Sequence, residues 1–184
     1  MELTIKDIID LLLKRKIWII VFLFVGLVSS FSFSKLIINP SYTASVQLYV
    51  IPNEAEASVN LSDLNFAQKV VTTYISFLNT NVFYKRIQDD TGLHYTVSQL
   101  MGMTSMKIIN NTEIFQISVT SYKPEDSYTL AESMERIAPQ LIKEINSTAK
   151  LSVVDPVTYP SGPSGPNIVR NTMIGGMSGL MLAF

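Results

Sequence analysis

The sequence predicts an α+β domain, a small sheet covered by helices, set between two transmembrane helices of which the second is truncated. Three observations carry this. An uncharged apolar run follows a basic cluster near the N-terminus, and a second apolar run closes the chain. The polar stretch between them changes repeatedly from alternating to helical periodicity. At 184 residues there is room for one domain of ordinary size. A 47% hydrophobic share against 16% charged is rich for a soluble domain and points to contact with lipid. The net charge of -1 gives no reason to expect nucleic acid as a partner. The absence of cysteine excludes disulfides, thiolate metal sites and cysteine nucleophiles.

Residues 1–16 predict a cytoplasmic amphipathic helix, with Ile5, Ile8, Ile9, Leu12 and Leu13 on one face, lying on the inner membrane surface before the span turns in. Residues 17–34, IWIIVFLFVGLVSSFSFS, predict the first transmembrane helix. As helix they rise about 27 Å, close to the roughly 30 Å of a bilayer core, and Lys16 and Lys35 flank them. The competing reading is a cleavable signal peptide, with Lys14, Arg15 and Lys16 as its charged region; the patterned segment ahead of them argues against it. Lys6, Lys14, Arg15 and Lys16 precede the span and only Lys35 follows it closely, so the N-terminus is expected inside the cell membrane and the central domain outside.

Residues 35–159 predict the extracellular α+β domain. Tyr42–Val50 reads as a strand ended by Pro52. The helix over Asn65–Asn79 carries two apolar stripes, one of which includes Val71 and Ile75. That surplus makes Val71 and Ile75 the candidate oligomer interface. A short helix over Val82–Asp90 stops at Gly92, and Thr96 caps another turn or two ending near Met101. Met103–Ile109 and Ile114–Thr120 predict a hairpin. Pro124 opens a long helix with Glu125 and Asp126 in its first turn, kinked at Pro139, with Ala131, Ile137 or Ala138, Leu141 and Ile145 on one side. Leu151–Val154 is a last strand expected to return beside the first.

Residues 160–169 form a proline-rich strap. Pro160, Pro163 and Pro166 recur every three residues, the period of a polyproline II helix, which predicts a stiff spacer. Residues 170–184 predict the start of the second transmembrane helix. Its apolar run, Met173–Phe184, is too short as helix to cross, so the natural protein is expected to continue. Gly175 and Gly179 are four apart and predict close helix packing in this second span.

Chemistry is sparse. Asp89, Asp90 and His94 are the one tight cluster that a metal would notice, and a solvated helix end is the better reading of them. No phosphate-binding glycine loop, nucleophile elbow or zinc-binding helix motif occurs. Glu132 and Glu135 are possible glycosidase carboxylates, and they leave a membrane-anchored extracellular glycan-active enzyme as the alternative. A purely structural sensor for an extracellular ligand is a third reading.

The succession of inner amphipathic helix, span, YTASVQLYV, FAQKVVTTYISFL, IFQISVTSYKPED, PSGPSGPN and second span resembles the chain-length determinant (Wzz), or polysaccharide co-polymerase, family in its Gram-positive capsule-assembly branch. The resemblance covers nearly the whole chain. It implies a non-enzymatic membrane adaptor that controls chain length in capsular polysaccharide biosynthesis and export. It also implies a homo-oligomeric ring, an octamer in such proteins, working with a polysaccharide polymerase. Pro160, Pro163 and Pro166 match the family's proline-rich motif. The resemblance further implies activation of a cytoplasmic tyrosine kinase of the capsule locus through a segment beyond the second span, which this sequence lacks. No cofactor is implied for this chain; the partner kinase would use ATP and Mg.

Overall fold

A computed structural model describes residues 5–51, 64–110, 112–147 and 149–183. The chain divides into two compact units: a helix pair, built from the residues up to Pro40 and from Ser164 onward, and a sheet domain, Ser41–Pro163.

The sheet domain has four antiparallel strands in the order β2-β3-β1-β4. Strand β1 is Tyr42–Ile51, β2 Thr104–Ile108, β3 Ile114–Ser121 and β4 Lys150–Asp155. β1 lies at the centre, with Val46 opposite Ile117 of β3 and Tyr49 opposite Ser152 of β4. Period-two side chains sort the two faces. Ala44, Val46, Leu48 and Val50 alternate inward with Phe115, Ile117 and Val119, all of them buried. Each fully buried side chain of that size contributes about 1.5–3 kcal/mol of transfer free energy.

Among the described residues four helices accompany the sheet: α2 over Leu64–Leu78, α3 over Asn81–Thr91, α4 over Val97–Met103 and α5 over Pro124–Ile145. α5 packs on β1, β3 and β4, and α3 packs on α5. The buried face of α5 is Leu130, Ala131, Met134, Ile137, Ala138, Leu141 and Ile142. Local chemistry sets the helix ends. The Thr80 hydroxyl accepts from the Phe83 N–H to open α3, and Gly92 closes it at φ 65°, a left-handed conformation that suits glycine. Thr96 and Gln99 form a reciprocal capping box at the start of α4.

Several expectations shift. α1, in the helix pair, is one unbroken helix over Ile5–Leu36, where a separate surface helix followed by a turned-in span was expected; no glycine or proline interrupts the sequence between Ile5 and Val25. Met103 belongs to α4, and β2 starts at Thr104, whose hydroxyl donates to the Leu100 carbonyl. α5 runs through Pro139 as a single helix, although the proline cannot supply an N–H to the carbonyl four residues back. Ile145, expected on its apolar side, is 48% exposed, because it lies at the last turn of the helix. The last helix, α6, covers Ile168–Leu182 and so begins two residues before the expected boundary; the Asn167 side chain caps it by accepting from the Arg170 N–H at 3.0 Å.

Candidate functional site

Lys14–Leu36 of α1 is long and apolar enough to cross a membrane. Its large side chains face outward, with Trp18 64% and Phe24 66% exposed. α6 packs antiparallel along it, and the seam between the two is made of small residues. A methyl group added to Gly26 would meet the carbonyl oxygen of Gly175, and one added to Gly179 would meet the carbonyl oxygen of Phe22. At Gly176 it would come within 2.8 Å of the Leu27 side chain. The two backbones therefore touch, which is how helices associate where water supplies no hydrophobic drive. Gly175 and Gly179, singled out for their spacing, both lie in this contact, and their partner is α1 of the same chain.

The seam is also hydrogen-bonded. The Ser30 hydroxyl donates to the Asn171 carbonyl at 2.6 Å, and the Asn171 amide donates to the Ser34 hydroxyl at 3.0 Å. Ser34 is only 1% exposed. Gly26, Ser30 and Ser34 were missed as a set, although their spacing of four was legible in the sequence. Asn171 carried no such signal.

In the sheet domain the expected interface residues part company. Val71 is fully buried in its own core and has no surface to give a neighbouring subunit, which corrects its assignment to an interface. Ile75 is half-buried against that core. The second stripe of α2 thus largely belongs to its own domain, which has helices enough to cover it.

The carboxylates considered for glycan or metal chemistry have separate partners. Asp90 accepts from the Ser133 hydroxyl and from Arg136, each at 2.6 Å. These bonds, Ser133 first, hold its pKa below the usual carboxylate range against a smaller opposing effect of burial. Asp89 pairs with Lys85 at 2.9 Å. Glu132 accepts from the Tyr128 phenol, and Glu135 accepts the Val157 N–H at 2.8 Å. Among the described residues no group of three or more metal-ligating side chains gathers.

Glu135 belongs to a set of contacts that fixes the approach to the strap. Val157 is held there, and the Tyr159 phenol donates to Glu125 at 3.0 Å while its ring lies 5.7 Å from that of Tyr128. Residues 156–167 contain no helix, and Pro160 and Pro163 close the sheet domain while Pro166 belongs to the helix pair. The peptide bond before Pro166 is cis.

Residues 1–91 match the family model described as Wzz, chain length determinant protein. Across 183 residues, 99% of this chain and 80% of the relative, it is 27% identical to the capsular polysaccharide biosynthesis protein CpsC of Streptococcus agalactiae. The protein of that name from Streptococcus pneumoniae is 24% identical over 98% of this chain and 80% of its own length. The capsular polysaccharide type 8 biosynthesis protein cap8A of Staphylococcus aureus is 23% identical over 100% of this chain and 82% of its own length. Residues 1–91 thus match the Wzz chain length determinant model, and nearly the whole chain is similar to these capsular polysaccharide biosynthesis proteins.

Proposed function

We propose that this protein is a membrane adaptor that sets chain length in capsular polysaccharide biosynthesis and export, working beside a polysaccharide polymerase. The observation that carries the reading is the alignment of the whole chain with capsular polysaccharide biosynthesis proteins, together with the Wzz match. The helix pair fits an anchor, since α1 presents apolar side chains outward and closes a glycine and serine seam inward. In this reading α1 and α6 both enter the bilayer, the N-terminus is cytoplasmic and the sheet domain is extracellular. The strap of Pro160, Pro163 and Pro166 holds that domain at a set distance from the membrane.

The protein acts without bond chemistry of its own, as part of a ring of identical subunits, and serves as membrane activator for a cytoplasmic tyrosine kinase of the capsule locus. What supports a non-enzymatic role is the engagement of Asp90, Glu132 and Glu135 by partners within the domain, which leaves each with a structural task. Deleting the gene in its host and sizing the capsular polymer by gel tests the proposal. The length distribution should change and return on complementation; an unchanged distribution would refute the reading.

A further inference from the structure

The sheet has one face packed on helices and one turned away from the core, and the second face has an unusual composition. On the two central strands its positions include Ser45, Gln47 and Tyr49 of β1 and Gln116 and Ser118 of β3, all partly exposed. Neither central strand places a charged residue on this face. Charges appear only on the edge strands, as with Lys107 of β2 and Asp155 of β4. Solvated sheet faces need only be polar, and lysine and glutamate would serve as well as serine and glutamine.

The register assembles these groups into rows. Lys107, Gln116, Gln47 and Asp155 line up across all four strands, and Ser105, Ser118 and Ser45 form a parallel row. At roughly 4.8 Å per strand the face is about 14 Å wide. Among the described residues no side-chain hydrogen bond engages Ser45, Gln47, Gln116 or Ser118, in contrast to Thr43 and Thr120, whose hydroxyls bond each other at 2.8 Å. Both glutamine amides, each with two donors and an acceptor, are therefore available to a ligand.

The geometry points to this face as a binding surface for a neutral or weakly charged polyhydroxylated chain, a segment of the capsular polysaccharide. The inference rests on the proposed function for the class of ligand and on the face for its place. Rival occupants fit less well. Serine is depleted from protein interfaces, which favour aromatics, methionine and arginine. Anionic lipid and nucleic acid call for clustered lysine and arginine, and this face has one lysine on each edge strand, Lys107 and Lys150, set apart across the sheet with Asp155 beside the central row. A sugar chain instead asks for many uncharged donors and acceptors, with an aromatic flank that Tyr49 supplies beside Ile114.

The test titrates the full chain in lipid nanodiscs with oligosaccharides cut from the host's own capsular polysaccharide, read by calorimetry. Wild type should bind. Gln47→Ala with Gln116→Ala should weaken binding about tenfold with the melting temperature unchanged. Ser45→Ala with Ser118→Ala gives a second variant should the first fail to fold. Absence of wild-type binding, or binding unaltered in whichever pair folds, overturns the inference. So does a change of oligomeric state in place of the affinity loss, which would make the face a subunit contact. Gene deletion separates the two levels: if polymer length responds to deletion but oligosaccharide binding fails these criteria, only the surface is wrong; if length ignores deletion, the functional reading itself falls.

Discussion

The two units of this chain sort their residues in opposite ways. In the sheet domain the large apolar side chains, Leu48, Tyr84, Phe115 and Leu130 among them, are fully buried, and polar side chains face out. In the helix pair Trp18, Phe24 and Met181 face out, Met181 at 79%, while Ser34, Gly176 and Gly179 are inside. One chain thus follows two solvent rules. Water drives the first arrangement by removing apolar surface from itself. The second suits surroundings as apolar as leucine, where close backbone packing and interhelical hydrogen bonds hold helices together.

The contrast is broken most severely at Val71. Val71→Asp should cost roughly 4 kcal/mol or more by placing an unpaired charge in a sealed core, and no folded sheet domain should be recovered. Half-buried Ile75, one turn on, should tolerate aspartate at about 1–2 kcal/mol. An intact domain with altered oligomer size in Ile75→Asp, seen by light scattering in detergent, would assign the remaining stripe to a subunit contact.

Gly179→Leu should come next. The added side chain runs into the Phe22 carbonyl, which is backbone and yields little, so the helix pair should lose about 1–3 kcal/mol. Thermal unfolding in detergent should show this, with the sheet domain unaffected. Asn171→Ala removes the amide that donates to Ser34 and should cost about 0.5–1.5 kcal/mol in the same assay.

The smallest effect lies at alkaline pH in the sheet domain. The Tyr95 phenol donates to Asp126 at 2.6 Å, and that bond, then burial, pushes its pKa up to about 12. The folded state holds this proton more tightly than the unfolded chain does, at a reference value of 10.0. The stabilisation is therefore complete below pH 10 and lost as pH rises through about 12. Tyr95→Phe should lower neutral-pH stability by about 1 kcal/mol and flatten that alkaline loss, as followed by melts at increasing pH.

Which of these features the sequence announced follows from how local their causes are. The strands, the Gly92 stop, the Thr96 cap and the opening of α5 at Pro124 depend on neighbouring residues, and they appear within a residue of where the pattern placed them. Val71 could not be assigned, because an apolar stripe reads alike whether it meets its own sheet or another subunit. The Arg136–Asp90 and Tyr159–Glu125 contacts join residues 46 and 34 apart, so no local pattern marks them. The helix seam was half legible. The glycine spacing in α6 was visible, but its partner row in α1 looked like incidental serines until the two helices lay side by side.

In the proposed reading the bilayer surrounds the helix pair, with the N-terminus and the sheet domain on opposite sides of it. The absence of cysteine from these 184 residues makes this directly measurable. Single cysteines at Lys14 and at Tyr122, which is 72% exposed, can be offered a membrane-impermeant maleimide on intact cells. The account predicts labelling of Tyr122→Cys at once and of Lys14→Cys only after the membrane is opened. Equal labelling of both on intact cells would contradict it.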